Sequence, residues 1–310
     1  MNKISIPIAK KIPKKLEIHK DIRIDDYYWL NDRENSSVIS YLKEEKAFYD
    51  KMTSHTQAFQ KTLFEEMKSR IKEDDSSVPY HLNGYWYSTR YEIGKEYPIY
   101  SRTKDLPGSV AEELFNCNEM AVGFDYFSLG GIAVSTDNTL AAFGVDTVSR
   151  REYTLKVKNL ITGEIYPDVI EKTTGGAVWA NDNKTFFYTK KDPVTLRSDT
   201  VCKHVLGTPV ADDVVVFHEE DETFNTFVYK TKSKKYIVIG SSSTLTSEYQ
   251  FIKADTPGAN FSVFSPRERG LEYSLVHYKT NFYVLTNKDN ATNFKLMKVA
   301  EDKTTSDHWQ

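Results

Sequence analysis

The sequence predicts a mostly β protein: a β-propeller of about five blades, preceded by a helical N-terminal extension. Three observations carry this. Apolar residues before about residue 72 recur at helical spacings. Beyond Pro79 the apolar period becomes two. In that second region strand-like runs come in pairs that repeat every roughly 45 to 55 residues, the length of a four-stranded propeller blade.

The helical part runs from Ser36 to about Lys72. Val38, Leu42, Tyr49 and Met52, then Phe59, Leu63, Met67 and Ile71, fall three, four or seven residues apart, with Lys and Glu between them. This predicts two amphipathic helices broken near Thr53 to Thr56, with Ser54 or Thr56 capping the second. Glu73-Asp74-Asp75-Ser76-Ser77 and Pro79 end the pattern, so residues 1–76 read as an extension and residues 77–310 as the propeller.

Each predicted blade shows a central pair of strands. The first members span residues 84–91, 138–146, 183–192, 234–242 and 280–289, and the second 96–103, 152–164, 199–209, 248–255 and 293–302. The polar turns Ser135–Asn138 and Ala180–Asn183 precede two of these pairs one repeat apart. A β-sandwich explains short strands but not this longer period. The fifth unit shows no obvious fourth strand after Lys303, so an open ring with an exposed edge is expected.

Composition narrows the function. The 310 residues hold 41 basic and 44 acidic side chains, a formal charge of −3, which gives no overall pull towards nucleic acid or anionic lipid. No apolar run approaches the ~20 residues of a membrane span, and the Lys-rich first 20 residues lack the apolar stretch of a signal peptide. Cys117 and Cys202 are the only cysteines and stand far apart; they are expected to be buried thiols in a reducing, cytoplasmic setting.

Chemical motifs are few. There is no G-x-S-x-G elbow, no P-loop and no G-x-G-x-x-G, so no cofactor is expected. His218-Glu-Glu-Asp-Glu222 fails the H-E-x-x-H zinc pattern at its last position and reads as a solvated acidic turn. Asp137, Asp146, Asp182 and Asp192 stand in or beside blade turns, where Asp bonds to nearby backbone. Two clusters stand out. One is Asp146-Thr-Val-Ser-Arg-Arg-Glu-Tyr153, whose paired guanidiniums, Arg150 and Arg151, suit a carboxylate on a neighbouring domain. The other is Asp25-Asp26-Tyr27-Tyr28-Trp29, an acidic and aromatic cluster of the kind that docks on a partner.

These features together resemble the prolyl oligopeptidase family, and within it the oligopeptidase B branch. The matching segments run in order along the chain: Arg23–Leu30, Asn83-Gly-Tyr with Glu96–Tyr100, Ser149–Tyr153, Asn159–Gly163, Val178–Asp182, Pro193–Leu196, His204–Pro209, Glu272–Leu275 and Asn293-Phe. The resemblance implies a cytosolic serine peptidase in which a seven-bladed propeller filters oligopeptides by size and a C-terminal α/β-hydrolase domain cleaves them, after Lys or Arg in the oligopeptidase B branch. It implies that Asp25, Asp26, Tyr27, Tyr28 and Trp29, with the helices behind them, dock on that hydrolase domain. It also implies that Arg151, and next to it Arg150, meets the loop of the catalytic His when the domains close. The family's catalytic residues belong to its C-terminal half, so none is assigned to this sequence. A stand-alone propeller that binds peptides or proteins without chemistry is the alternative.

Overall fold

The computed structural model describes residues 5–104 and 110–310; the first four residues of the Lys-rich leader lie outside it. The chain divides into two compact units, Met1–Glu73 and Asp74–Gln310.

The first unit opens with a hairpin, β1 (Lys14–Ile18) and β2 (Asp21–Asp25), whose turn residues His19 and Lys20 both take positive φ. That pair of left-handed residues gives the turn the twist that a two-residue hairpin requires. Helix α1 (Ser36–Thr53) starts where Asn35 accepts a hydrogen bond from the Ser37 amide, a side-chain N-cap. A short 3₁₀ turn separates it from α2 (Gln57–Ser69). The expected cap on α2 is not made. The Thr56 hydroxyl donates to the Thr53 carbonyl and accepts from the Gln60 amide instead, because the 3₁₀ turn already carries the chain into the helix.

In this unit Val38 is the one buried residue among those described. The apolar stripe read as the inner face of the helices is otherwise open: Leu42, Tyr49, Met52, Phe59, Leu63, Met67 and Ile71 are all exposed. An amphipathic helix gains most of its stability by burying such a face, so this unit has the pattern of a core without the core.

The second unit is built of antiparallel sheets arranged as blades. Strands β3 (Tyr80–Leu82), β4 (Tyr85–Arg90), β5 (Ile99–Thr103) and β6 (Glu112–Asn116) form the first blade. Next come β7 (Ser128–Val134), β8 (Leu140–Asp146), β9 (Tyr153–Asn159), β10 (Ile165–Trp179), β11 (Thr185–Lys191), β12 (Ser198–Val205) and β13 (Val214–His218) in one continuous sheet. The continuity comes from β10, 15 residues long, which pairs with β9 up to Thr173 and with β11 from Thr173 onwards. It is the fourth strand of the second blade and the first strand of the third. The fourth blade is β14 (Asn225–Lys230), β15 (Tyr236–Ser242), β16 (Ser247–Lys253) and β17 (Ser262–Val263), and the fifth is β18 (Tyr273–Tyr278), β19 (Asn281–Thr286) and β20 (Lys295–Ala300).

All five expected strand pairs occur, as β4–β5, β8–β9, β11–β12, β15–β16 and β19–β20. After Lys303 the chain does return along the fifth blade: Gln310 exchanges two backbone hydrogen bonds with Lys298 of β20, and Trp309 is buried against Tyr273 and Phe264. Trp309 and Gln310 lie at the fourth position of that blade, beside β20. Asp307 and His308 sit in a 3₁₀ turn just before it, which is why no strand period is visible there.

The core is divided into layers between successive blades. Phe115 packs on Phe143 between the first two, and Trp179, Phe186 and Leu155 lie between the next two. Phe187 with Ile237, then Tyr236 with Phe282, fill the later seams. Because neighbours cover both faces of β8, β11 and β15, these strands read as nearly continuous apolar runs rather than alternating ones. Polar contacts staple the seams as well. Buried Arg102 donates to the Asn138 carbonyl, the Trp179 indole to Ala133, and Lys235 to Glu301. His204 on β12 lies fully buried between Asp168 at 2.8 Å and Asp213 at 2.6 Å, joining the second and third blades.

Candidate functional site

Strand registers define two ends of the propeller unit. Ser128 pairs with Asp146, and Asn225 with Ser242, so the β8–β9 loop and the β15–β16 loop stand at the ends where β7 and β14 begin. Lys191, at the end of β11, donates its ammonium to the Arg151 carbonyl and ties the third blade's loop to the second's. This loop-bearing end holds the candidate site.

The Arg pair stands on a rigid mount. Asp146 is buried at the end of β8, and its carboxylate accepts the amides of Val148 at 2.8 Å, Ser149 at 3.0 Å and Arg151 at 2.7 Å. Ser149 and Arg151 both take positive φ, a backbone shape that three hydrogen bonds to one anion can hold. The guanidiniums of Arg150 and Arg151 point out of this mount, exposed, with no hydrogen-bond or ion-pair partner among the described residues. Asp137, Asp182 and Asp192 each accept local backbone and hydroxyl hydrogen bonds in their own turns, the role expected of turn aspartates.

Beyond the third blade the acidic turn after β13 differs from its expected form. Glu219 is 4% exposed, not solvated. Its carboxylate takes two hydrogen bonds from Arg267, at 3.2 and 2.5 Å, and a further one from the Ser241 hydroxyl. Burial alone would raise the Glu219 carboxyl, but these donors hold it below its ordinary range, and the same pair holds the Arg267 guanidinium charged. Arg267 also reaches Glu248 at 3.1 Å and lies over the Phe224 ring at 3.9 Å. Arg197 secures the turn from below by donating to the carbonyls of Glu219, Asp221 and Phe224. Beside this network a cavity of about 690 Å³ opens between Phe224, the Ser243–Thr246 loop and Arg269. Sequence reading missed the pair because Arg267 comes from a loop 48 residues later; the local hint is its place in the charged Arg267-Glu268-Arg269 run before Gly270.

The acidic and aromatic cluster of the first unit is partly used within that unit. Asp25 accepts the Tyr27 amide at 2.9 Å, and Asp26 faces Lys11 at 3.8 Å. Tyr28 lies under the Lys14 ammonium, and the Trp29 indole donates to the Lys10 carbonyl while its ring meets Tyr41 edge-on. Tyr27 is the exposed member. Both cysteines are buried and free, and burial pushes the Cys117 thiol up to about 12. No helix among the described residues is long and apolar enough to cross a membrane.

Comparison with known proteins agrees with this architecture. A family model described as prolyl oligopeptidase, N-terminal β-propeller domain, matches residues 7–310. The chain is 39% identical to dipeptidyl aminopeptidase BI of Pseudoxanthomonas mexicana, over 98% of this chain and 44% of that protein. It is 33% identical to protease 2 of Moraxella lacunata, over 95% of this chain and 44% of that protein. Among solved structures, oligopeptidase B from Leishmania major superposes with a TM-score of 0.90 at 28% identity, covering 99% of this chain and 46% of that one. Oligopeptidase B from Trypanosoma brucei, in a closed form with covalently bound antipain, gives 0.87 at 26% identity over 97% and 45%. The chain thus spans less than half the length of these relatives. It belongs to the prolyl oligopeptidase family, matches that family's N-terminal β-propeller domain, and is similar to oligopeptidase B.

Proposed function

We propose that this chain is the propeller and docking portion of a cytoplasmic oligopeptidase B-like serine endopeptidase, acting on oligopeptides together with a C-terminal α/β-hydrolase domain. The observation that carries the reading is the helical unit: a full amphipathic pattern with Val38 alone buried among the described residues. Such a stripe requires a partner, and the occupant proposed here is the hydrolase domain, with the exposed Tyr27 and the other residues of the Asp25–Trp29 cluster at its rim. The propeller excludes folded proteins by size, and hinge motion between the two domains admits the peptide and then assembles the site.

In this reading the Arg150–Arg151 loop faces the hydrolase domain. Arg151, and next to it Arg150, grips the loop of the catalytic His on closure; the Asp146 mount lowers the entropy lost in doing so. The test is Arg151→Ala in a protein that carries both halves. Loss of a charge-assisted contact predicts a fall in peptide turnover of roughly 10- to 100-fold. Unchanged turnover and closure exclude the role.

Cleavage after Lys or Arg is the specificity proposed from the oligopeptidase B likeness. A second reading, removal of dipeptides from a free N-terminus, is favoured by the 39% identity to dipeptidyl aminopeptidase BI. Paired substrates with free and acetylated N-termini separate the two: an endopeptidase accepts both, whereas a dipeptidyl peptidase requires the free amine. A stand-alone binding propeller predicts a stable, monodisperse chain that takes up no hydrolase domain.

A further inference from the structure

The end of the propeller unit away from the Arg pair has its own polar centre. In the fourth blade Lys230 pairs with Ile237, at the far end of β14 from the Ser242 register, and in the second blade Val134 pairs with Ala141. The far ends of the first strands of four blades, near Leu82, Val134, Trp179 and Lys230, line one cavity of about 360 Å³. The Lys230 ammonium there donates to the Trp179 carbonyl at 3.0 Å and the Thr136 hydroxyl at 3.2 Å, both neutral acceptors.

No carboxylate lies within ion-pair distance of Lys230 among the described residues. Asp255 and Asp182 favour its charge from a distance, but neither touches it: Asp255 accepts the Asn181 side-chain amide at 2.6 Å, and Asp182 accepts the Thr185 hydroxyl and the backbone amides of Lys184 and Thr185. Lys232 and Lys234, on the adjoining turn, are exposed and lack ion-pair partners among the described residues. Burial first, then the charge of Lys234, lowers the Lys230 ammonium to about 8. A half-buried cation with no carboxylate in contact is costly, and an entering anion lowers that cost. Part of the wall, at Ala133, Val134, Ala177 and Val228, is aliphatic, beside Tyr229 and the polar Asn83 and Thr231. A bare inorganic anion leaves the aliphatic part wet, whereas a peptide end carries a carboxylate and a side chain together.

We propose that this cavity binds the C-terminal carboxylate of an oligopeptide, with Lys230 as the counter-charge and Lys232 and Lys234 drawing the anion in. The choice of a peptide rests on the function proposed above; the anion site itself rests only on the cavity.

Calorimetry on the full chain tests it with four probes: N-acetyl-trialanine with a free carboxylate, the same peptide as its amide, an amide peptide with an internal Glu, and inorganic phosphate. The free acid is expected to bind at least about tenfold more tightly than the other three, with Lys230→Gln weakening it by about tenfold or more. Its binding falls as pH rises through about 8, where Lys230 loses its proton. Equal affinity for acid and amide, or an unchanged Lys230→Gln variant, overturns the proposal. Binding of the internal-Glu peptide or of phosphate as tight as that of the free acid overturns the α-carboxylate assignment. If Lys230→Gln does not fold, the acid-to-amide ratio and the pH profile of the unaltered chain decide. Binding needs no turnover, so a failure of peptidase activity in any joined form bears on the proposed function alone.

Discussion

Asp146 and Arg151 are joined through the backbone: the buried carboxylate accepts the Arg151 amide at 2.7 Å and so fixes where the Arg151 side chain leaves the sheet. Replacing Asp146 by Ala removes three amide contacts from a turn with two positive-φ residues. The expected cost is about 2 kcal/mol in urea unfolding. The Arg150 and Arg151 side chains have no hydrogen-bond or ion-pair partner among the described residues, so Arg150→Ala and Arg151→Ala are expected to stay within about 0.5 kcal/mol of the unaltered protein. A large loss in the Arg variants, or none in Asp146→Ala, contradicts the mount.

The Glu219–Arg267 pair predicts an acid limb of stability. The folded Glu219 carboxyl lies below its ordinary value of 4.5, so its contribution is full above that value and is lost as pH falls through the lower folded one. Arg267→Met leaves the buried carboxylate short of its main donors and is expected to cost about 3 kcal/mol at neutral pH. In that variant the carboxyl titrates higher, so the Glu219 part of the acid loss disappears. Urea midpoints from pH 3 to pH 7 (roughly the range in which carboxyls titrate), with Glu219→Gln as reference, check both points.

Gly175 is the hinge of the long strand β10 and takes a φ of +91°, with a hypothetical Cβ only 2.7 Å from the Tyr153 ring. Gly175→Ala is expected to destabilise by about 2 kcal/mol or more, since the clash and the backbone shape both oppose a side chain. Gly176 next to it has no neighbouring atom within 4 Å of such a carbon and no positive φ. Gly176→Ala is the control and is expected to change the thermal midpoint little.

His204 separates two buried carboxylates, Asp168 and Asp213. His204→Leu leaves both facing an apolar side chain and is expected to cost about 3 to 5 kcal/mol. Pairing it with Asp168→Asn and Asp213→Asn is expected to recover part of that loss in thermal unfolding; no recovery excludes charge burial as the cause.

The central strand pairs were legible because their turns advertise themselves. Asn138 and Asn183 take positive φ in the two turns one repeat apart, and the side chain of Asn183 even accepts the Asp137 amide across the seam. The sharing of β10 between blades was not legible. That strand's sequence carries Pro167 and Gly175-Gly176, residue types that weaken strands, yet Gly175 is where the strand passes from one blade to the next, close against Gly131 and Gly144. Arg150 and Arg151 could be singled out as a pair because both belong to one short loop. Glu219 with Arg267, and Lys230 with Trp179, could not, because each contact joins distant segments and depends on how blades stack. The helical stripe was read correctly as amphipathic, but which residues it buries is a tertiary fact: Phe59 and Met67, placed on the inner face, lie open.

The most direct test of the central claim is to mix the chain with the separately made α/β-hydrolase domain of an oligopeptidase B-like relative and follow both association and hydrolysis of a Lys- or Arg-ended amide substrate. The expected result is no turnover by the chain alone, association with the added domain, and loss of that association in Phe59→Asp with Met67→Asp. Serine-reagent-sensitive turnover by the pure chain, or association that survives both substitutions, would contradict it.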